Sequence, residues 1–480
     1  MKYAVFILLV AGCSKIVEFE KECDADFDCP SFLICQDGAC VEPAPPPAAC
    51  RILYGLSDDA QFHNKSALRI GLMMPRSGEF KSDGEIMEKV IGTAIFEINQ
   101  TMDAGGQNFV VVGCDSSGTS DEVVTRATWL IEQARVPILI GPIDGDKARA
   151  VFRRVAQQSR VLQIFPQLRP GSAHLQSDDG LLLKLVAPET SQFEAMVKVL
   201  NAKGYEKVAS LRPDTHQGTH SFQSFESVYC GQVDCENKPV LDIVYGASRE
   251  IGRGYFDVSS IDSALRAFGP EVLLFLGTAD EFITLAEHEE TLESLNGRPL
   301  FGTHYLHDAM SLQSLGSQGQ SLVNQLIGFL PSSLDGDAYG DFSDWFSARF
   351  PDIPAHLGST AAFDSIFLAA YLYASQGSSG AVEGPALARQ LSRITQGEEP
   401  MLVGLESFAS TREVLQSNGA STIDLFGTSG ALDFEGDYTT RSAVDAWYYD
   451  TAAGQIRILG EIFSSKSEYQ EGVIPEIGTR

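Results

Sequence analysis

Four closely spaced cysteines near the start of the chain indicate disulfide or metal chemistry. Cys23, Cys29, Cys35 and Cys40 lie in CDADFDCPSFLICQDGAC, a segment with too few apolar residues to build a core. In an oxidising compartment, two disulfides would hold such a segment together. A zinc site is the alternative, but the segment has no C-x-x-C pair and no nearby His. Three disulfide connectivities are open, and we adopt alternate pairing, Cys23–Cys35 with Cys29–Cys40, as a working prediction.

Four further cysteines form two more candidate pairs. Cys230 and Cys235 bracket GQVD and are expected to close a small loop. Cys50 and Cys114 are then left as a plausible long-range pair. Without Cys13, eight of the nine cysteines remain for disulfides, and an even number of cysteines is typical of exported proteins.

Cys13 ends the apolar run AVFILLVAGC, which follows a positively charged start at Met1-Lys2. The run is too short for a transmembrane helix, which needs about 20 residues. The residues Leu9-Val10-Ala11-Gly12 before Cys13 resemble the lipobox of bacterial lipoproteins. That resemblance implies that residues 1–12 are a signal peptide and that the Cys13 thiol is acylated, with Ser14 favouring the outer membrane. A plain secreted protein with a chance cysteine is the alternative.

A proline-rich linker is expected over residues 42–67, after the lipidated N-terminus and cysteine-rich module of residues 13–41. It begins VEPAPPPAAC, a composition that favours extended polyproline geometry. We therefore expect a stiff stalk that holds the rest of the protein away from a membrane.

Catalytic motifs are absent from the sequence. It has no G-x-S-x-G elbow, no H-E-x-x-H, no phosphate loop and no G-x-G-x-x-G after a strand. The segment AEHEE (286–290) lacks the second helical His that a zinc site needs. The sequence therefore predicts no enzyme, no cofactor and no metal, although a hydrolase with dispersed catalytic residues stays as a less favoured alternative.

Polar residues that follow apolar segments are better suited to noncovalent binding. In an open parallel sheet, ligands bind beyond the carboxyl ends of the strands, where helix N-termini offer free N–H groups. Some of these residues could instead stabilise the protein's own structure: Asp144 and Asp146 could cap the following helix, Arg169 could pair with surface carboxylates, and His304 could be a solvated loop residue. The candidate ligand-binding residues are Arg76, Ser77, Asp144, Gly145, Asp146, Gln167, Arg169, Gln217, Thr278 and His304.

Alternating strands and helices from Leu68 onward must position these residues. LRIGLMM (68–74) is a continuous apolar run typical of a strand buried on both faces, and GEIMEKVIGTAIFEINQ (84–100) has the stripe of an amphipathic helix. Such alternation predicts right-handed βαβ units and parallel sheets. Further predicted strands are 109–115, 136–142, 161–166, 206–213, 239–246, 271–278 and 299–304, and later segments are the helices 359–375 and 384–394 and a hairpin over 430–450.

The order of these elements resembles the type I periplasmic binding proteins, in particular the leucine/isoleucine/valine-binding family and the related ligand-binding modules of receptors. The likeness covers about residues 68–463. Five short segments carry it: RIGLMMPRSGEF (69–80), TAIFEINQ (93–100), IGPIDGDKARAV (140–151), TAAFDSIFLAA (360–370) and GALDFEGDYTT (430–440).

The resemblance implies an α/β fold. Two doubly wound, Rossmann-like lobes with parallel central sheets would be joined by a three-crossing hinge, after the small disulfide-stapled module. Lobe 1 would comprise 68–187 plus 333–436, lobe 2 would comprise 189–330 plus 440–463, and 464–480 would be a C-terminal tail. The chain would cross near Pro188, Pro331-Ser332 and Gly436-Asp437.

The sequence departs from the family's amino-acid pocket. Gly145 stands at the family's Ser position, and Gln167-Leu168-Arg169 replaces a Gly-Ala-Thr-type loop. Gln217 stands where the family has a lobe-2 tyrosine, and His304 falls near the position of a lobe-2 acid. An ordinary amino-acid pocket is therefore not expected, although Arg76 or Arg169 could bind an anionic group.

The formal net charge of −29 excludes some partners. An acidic, Lys/Arg-poor surface repels nucleic acid and anionic membranes, so membrane attachment would depend on the lipid anchor alone. We expect a cell-envelope protein, facing the periplasm or exterior, that captures a small polar ligand for an ABC-type importer. The alternative is a ligand-sensing or protein-interaction lipoprotein of the same fold that contacts another envelope protein.

Overall fold

A computed structural model describes most of the chain from Cys23 to Phe463. The described residues are 23–30, 33–54, 68–78, 80–101, 108–166, 179–247, 254–288, 292–307, 312–315, 319–331, 337–353, 357–377, 382–417, 422–434, 438–440 and 443–463. The predicted signal peptide, Cys13, Gln167, Arg169, the tail 464–480 and the predicted crossing at Gly436-Asp437 lie outside these residues.

The cysteine-rich segment forms a two-stranded antiparallel sheet, β1 (Ile34–Gln36) with β2 (Ala39–Val41). Disulfides join Cys23 to Cys35 and Cys29 to Cys40, which is the alternate pairing predicted from the sequence. The sulfurs of Cys23, Cys29 and Cys40 lie within 4.8 Å of one another. All three are already disulfide-bonded, so none is available as a zinc-binding thiolate.

The first large sheet has six strands in the spatial order β3-β5-β4-β6-β7-β8. Strand β3 is antiparallel to β5, and the other neighbours are parallel. Three helices with an apolar face lie between these strands in the chain: α1 (Lys81–Thr101), α2 (Ser120–Glu132) and α3 (Gly145–Val151). The strands are β3 (Cys50–Tyr54), β4 (Leu68–Met74), β5 (Phe109–Asp115), β6 (Ile138–Ile140), β7 (Leu162–Phe165) and β8 (Leu182–Lys184).

The second large sheet has eight strands in the spatial order β11-β10-β9-β12-β13-β14-β18-β19. Its centre is parallel, whereas β11, β18 and β19 pair antiparallel with their neighbours. Both large sheets are therefore mixed and mostly parallel rather than purely parallel. The strands are β9 (Val208–Pro213), β10 (Leu241–Ala247), β11 (Gly254–Tyr255), β12 (Val272–Phe275), β13 (Leu300–Gly302), β14 (Leu326–Pro331), β18 (Val444–Asp450) and β19 (Gln455–Phe463).

Helices cover both large sheets and bury the apolar strands. The long helix α10 carries an uninterrupted buried stretch from Ala361 to Ala374, and it packs with α1 into the core beneath the first sheet. The helices after α3 are α4 (Glu189–Lys203), α5 (His216–Gln232), α6 (Val258–Phe268), α7 (Ala279–Ala286), α8 (Gln320–Gln325), α9 (Asp337–Arg349), α10 (Leu357–Gln376), α11 (Gly384–Ala388), α12 (Leu391–Thr395) and α13 (Leu405–Gln416).

The predicted hairpin over 430–450 is present only as a single antiparallel bridge between Phe434 and Thr440, and its two strands belong to different sheets. Its first part, β17 (Gly430–Ala431), pairs with β16 (Ile423–Gly427) in a small third sheet that also contains β15 (Glu399–Leu402). Its second part is β18, which lies between β14 and β19 in the eight-stranded sheet. Trp447 of β18 is fully buried against Gly328, where its indole ring occupies the space that a Cβ would need. Each half of the segment therefore completes a different sheet.

The start of the linker lies against the first sheet's helices rather than standing free as a stalk. The backbone of Ala44 accepts a hydrogen bond from the Trp129 indole at 2.9 Å and donates one to the Gln133 side chain at 2.8 Å. Arg135 donates to the Cys35 carbonyl at 2.7 Å and lies 3.3 Å from the Asp26 carboxylate. These contacts attach the cysteine-rich module to this half of the protein.

Strand β3 then fixes the linker to the edge of the sheet. Cys50 is directly opposite Cys114 in the pairing with β5, and a disulfide joins the two residues. The ring of Tyr54 occupies the space over Gly92 of α1 that a Cβ would fill. The predicted long-range pair and the short Cys230–Cys235 pair are both present as disulfides.

Candidate functional site

The carboxyl edge of the first sheet holds the loop after β4, with Arg76 and Ser77. The Ser117 hydroxyl accepts the backbone N–H groups of Arg76 and Ser77 at 3.0 and 2.9 Å and donates to the Ser77 carbonyl at 3.1 Å. Asp115 accepts the N–H groups of Arg76 and Ser117 at 3.0 and 2.8 Å. Burial opposes ionisation of Asp115, but the hydrogen bonds from Ser117 and Arg76 outweigh it and lower its pKa. This loop is therefore tied to the loop after β5, while Ser77 itself is exposed.

The Arg76 guanidinium already has an acidic partner within the protein. Its Nε lies 3.1 Å from Glu88, whose other oxygen accepts from Arg51 at 3.2 Å. Its Nη1 donates to the Ala49 carbonyl of the linker at 3.3 Å. Its Nη2 is buried and makes no hydrogen bond within the described part of the chain. Arg76 therefore retains one donor for an incoming acceptor, but its charge is shared with Glu88.

The loop after β6 is used mainly to begin α3. Asp144 is the N-cap, accepting the Lys147 N–H at 3.0 Å, and its carboxylate lies 3.6 Å from the Lys147 ammonium. Asp146 pairs with Arg149 at 3.0 Å, and Gly145 is buried. The capping alternative considered from the sequence thus describes Asp144, and Asp146 forms a short-range ion pair on the same helix.

Two predicted site residues in the second sheet begin helices at its carboxyl edge. Gln217 lies in the first turn of α5, which is capped by Thr215. Thr278 caps α7 and exchanges hydrogen bonds with Glu281: its N–H donates at 2.9 Å, and its hydroxyl accepts the Glu281 N–H at 3.4 Å. This capping box uses the Thr278 side chain locally.

His304 follows β13 and is held by Gln192, a fully buried side chain of α4. The Gln192 Oε1 accepts the His304 N–H at 2.9 Å, and its Nε2 lies 3.0 Å from Nδ1 of the ring. The Tyr305 ring packs on the imidazole with centroids 4.0 Å apart. Gln192 thus fixes both the backbone and the ring of His304, and this contact joins α4 to the loop after β13.

Glu189, one turn before Gln192 on α4, is a second polar group at this edge. The Ser221 hydroxyl of α5 lies 2.9 and 3.0 Å from its two carboxylate oxygens. Burial raises the pKa of Glu189 to about 7, against the opposing effect of the Ser221 hydrogen bond. Glu189 directly follows Pro188, the first predicted crossing between lobes.

Sequence reasoning missed Ser117, Gln192 and Glu189. Ser117 could have been found, because it follows the carboxyl end of β5 just as Ser77 follows β4. Glu189 could have been found as an acid beside a predicted crossing. Nothing in the sequence indicated Gln192, since its role depends on β13 coming to lie beside α4. Gln167 and Arg169 stay predictions, because they lie outside the described residues.

Asp364 is a buried acid with a structural role. Its carboxylate accepts the N–H and hydroxyl groups of both Thr428 and Ser429. Burial raises its pKa to about 6, although these four hydrogen bonds act in the opposite direction. Asp364 thus makes structural hydrogen bonds from within an apolar helix, and they join α10 to the loop after β16.

Comparison with known proteins identifies the family. The periplasmic binding protein family matches residues 67–411, most of the chain. This chain belongs to that family. No curated protein is significantly similar to the binding protein in sequence.

Solved structures share the type I fold of this binding protein at low sequence identity. One is the branched-chain amino acid substrate-binding protein LivJ from Streptococcus pneumoniae in complex with isoleucine, with TM-score 0.59 and 16% identity over 81% of this chain and 97% of that chain. Another is a solute-binding protein of an ABC transporter from R. palustris in complex with benzoate, with TM-score 0.57 and 15% identity over 82% and 96%. A third, the extracellular ligand binding receptor from Desulfohalobium retbaense, has TM-score 0.56 and 16% identity over 81% of this chain and 59% of that chain.

Among the described residues, no helix is both long enough and apolar enough to cross a bilayer.

Proposed function

We propose that this protein is an extracytoplasmic solute-binding protein that captures a small polar ligand between its two lobes and passes it to an ABC-type importer. The observation that carries the proposal is the pair of mostly parallel sheets, each with polar side chains and helix N-termini at its carboxyl edge. Such edges are where open α/β sheets bind ligands. Membership of the periplasmic binding protein family supports the same function. The proposal assigns no catalytic step to the chain.

The proposed lobes are 68–187 plus 333–436 and 189–330 plus 440–463. Contacts between chain segments near the crossings support a hinge there. The Lys184 N–H donates to the Tyr438 carbonyl at 2.9 Å, and the Lys184 carbonyl accepts the Thr440 N–H at 2.9 Å. The Thr440 hydroxyl donates to the Leu185 carbonyl at 2.7 Å. Two of the crossing segments are thus hydrogen-bonded to each other, a compact arrangement about which lobes can rotate.

The ligand contacts proposed in the first lobe are Ser77, Arg76 and the loop from Asp144 to Asp146, with Gln167 and Arg169, which follow β7 in the sequence. In the second lobe they are Gln217, Thr278 and His304. The exposed Ser77 and the remaining donor of Arg76 support binding of a polar or anionic group. Because Thr278 and Asp144 cap helices, we expect their contribution to come through the helix N-termini that they begin.

We also propose that acylation of Cys13 anchors the protein in the cell envelope. Two or more acyl chains give stable anchoring, since each buried CH₂ contributes about 0.8 kcal/mol. In the native host, the wild type should incorporate labelled fatty acid and the Cys13→Ala variant should not. A Cys13→Ala variant that stays labelled and membrane-bound would contradict the anchor without affecting solute binding.

Native mass spectrometry of the exported full chain tests solute capture. A small mass carried through purification, lost on denaturation and refolding, is the expected result. A thermal-shift panel of amino acids, amines, aromatic acids and sugars then gives the compound class. An empty protein that responds to no compound would refute solute capture.

A sensing or protein-interaction role in the envelope is the second candidate. It is favoured by the cysteine-rich module, which simple solute capture does not need and which is fixed to the first lobe through Arg135 and Trp129. Cross-linking in the envelope distinguishes the roles, because an importer should be captured in one case and another envelope protein in the other.

A further inference from the structure

Ala49, the linker residue before β3, contacts the groups that hold the loop after β4. Its carbonyl accepts the Asp115 N–H at 2.9 Å and a hydrogen bond from Arg76 Nη1 at 3.3 Å. Asp115 in turn accepts the Arg76 N–H at 3.0 Å. Cys50 follows Ala49 and is disulfide-bonded to Cys114, the residue before Asp115. The linker and the loop that carries Arg76 are therefore held in place by the same groups.

The Arg76 guanidinium holds Ala49 by the longer of two side-chain contacts. Its Nε lies 3.1 Å from the Glu88 carboxylate, whereas Nη1 donates over 3.3 Å to a neutral carbonyl. Nη2 is buried and makes no hydrogen bond within the described part of the chain. A charged acceptor that reaches Nη2 would turn the guanidinium. The contact with Ala49 would be lost first in such a turn, because it is the longer one and its acceptor carries no charge.

One face of α2 continues from this region to the other end of the linker. Arg126 donates from Nη1 to two carbonyls, one at the end of β5 and one in the loop after it, at 2.7 Å each. Trp129 and Gln133 hold the two backbone groups of Ala44 at 2.9 and 2.8 Å. Residues with the spacing i, i+3 and i+7 lie on one face of a helix. This face of α2 therefore contacts the support of the loop at one end and the linker at the other.

The linker segment between Ala44 and Ala49 is exposed and stiff. Within the described chain, most of residues 42–49 are exposed and none of them belongs to a hydrophobic cluster. A segment with few buried apolar contacts opens readily without unfolding the rest of the protein. Three consecutive prolines, 45–47, fix φ and favour extended geometry. A displacement at Ala49 is therefore carried to Ala44 rather than absorbed between them.

We propose that the loop after β4 transmits its occupancy to the N-terminal linker. A ligand group that draws Arg76 towards the cleft loosens Ala49 and, through the stiff segment, the contacts of Ala44 with α2. The inference rests on the proposed solute-binding function and adds an output to it. The surface of the linker then differs between the empty and the occupied protein, and a partner in the envelope can distinguish the two states by it. Arg135 holds the cysteine-rich module by separate contacts, so the effect is confined to the linker.

Hydrogen exchange of the tryptophan indoles, followed by NMR in the exported full chain, tests the inference. Trp129 donates to Ala44 of the linker, and its signal is assigned with Trp129→Phe. Trp345 donates to Glu97 at 2.9 Å and is the internal control. The probes are benzoate and L-leucine, which carry a carboxylate. A probe that binds should make the Trp129 indole exchange about threefold faster, although ligand binding ordinarily slows exchange. Binding with slower or unchanged exchange at Trp129 would overturn the inference.

A matched pair of variants tests the same link without any ligand. Arg76→Gln removes the contact with Ala49 and should make the Trp129 indole exchange about threefold faster, with Trp345 unchanged. Arg149→Gln removes another arginine of the first lobe, on α3, and should leave both indoles unchanged. Unchanged exchange at Trp129 in Arg76→Gln would overturn the inference whether or not a probe binds. Faster exchange in Arg76→Gln, with no probe bound and no copurified mass, would support the link from loop to linker and refute solute capture.

Discussion

Removing the Cys50–Cys114 disulfide should cost much more stability than removing Cys230–Cys235. The two bonds close chain segments with sequence separations of 64 and 5 residues. In the chain-entropy treatment, a loop of the first size contributes about 4 kcal/mol and one of the second size about 2 kcal/mol. The sulfurs of Cys50 and Cys114 are also buried, so truncation leaves a small cavity that adds to the first loss.

Loss of the Cys50–Cys114 disulfide should also loosen the chain locally. Cys50 follows Ala49, whose carbonyl accepts from Arg76 and from the Asp115 N–H at 2.9 Å. Without the disulfide, β3 is held at the edge of the six-stranded sheet by its ladder with β5, by the Arg51–Glu88 ion pair and by the packing of Tyr54 over Gly92. Edge strands open readily, so hydrogen exchange should increase in β3 and in the loop holding Arg76.

The assay compares Cys50→Ala/Cys114→Ala with Cys230→Ala/Cys235→Ala in urea unfolding of the exported protein. The first variant should lose about 2 kcal/mol more than the second, with faster exchange in residues 50–54 and 76–78. Equal losses, or a larger loss from the short loop, would refute the reasoning from loop length. Reduction of both variants with a thiol gives the control for cavity effects, because it breaks all remaining disulfides and leaves only the truncated side chains as the difference between them.

Three further predictions concern groups whose partners are known. Because burial raises the pKa of Glu189 from its ordinary 4.5 to about 7 in the folded protein, ionisation of this one group should lower the free energy of unfolding by about 3 kcal/mol as pH rises from about 4 to about 8, at about 1.4 kcal/mol per pKa unit. In pH-dependent urea unfolding, Glu189→Gln should lack that contribution, and a pH profile identical to that of the wild type would contradict the prediction. Asp364→Asn should lower the free energy of unfolding by about 2 kcal/mol, because the amide NH₂ would face the N–H and hydroxyl donors of Thr428 or Ser429. A free energy of unfolding equal to that of the wild type would contradict this prediction. Arg135→Ala should loosen the attachment of the cysteine-rich module to the first lobe. Hydrogen exchange at the Cys35 amide should become faster while exchange in the lobes stays the same. Unaltered exchange at Cys35 would show that the contacts of Trp129 and Gln133 are enough to hold the module in place.

The fold could be predicted from the sequence because it depends on repeated local patterns. Continuous apolar runs such as 68–74 are typical of strands buried on both faces, and amphipathic segments such as 84–100 bury their apolar stripe against such strands. The edge strands could not be predicted in the same way. Strand β3 and the pair β18 and β19 are antiparallel additions whose partners lie far away in the chain, and the apparent hairpin over 430–450 is divided between two sheets.

The candidate site could be predicted only as a set of positions. Strand ends located Ser77, Asp144, Thr278 and His304 because carboxyl edges of parallel strands are geometrically alike. Their chemistry depended on neighbours that the sequence does not reveal: Arg76 was expected to offer its charge to an anion, and that charge is shared with Glu88, so that only Nη2 is left without a partner among the described residues.

The sequence by itself determined the α/β architecture and the strand ends where a ligand would bind, because periodicity and chain direction are local properties of the sequence. Only the tertiary structure decided which charges are compensated: Glu88 and Arg76 neutralise each other, whereas Glu189 meets only Ser221 among the described residues. It also decided that the start of the linker contacts α2 at Ala44 instead of standing free. The physical reason is that desolvation and pairing of a charge depend on groups brought close from distant parts of the chain, and those distances exist only in the folded protein.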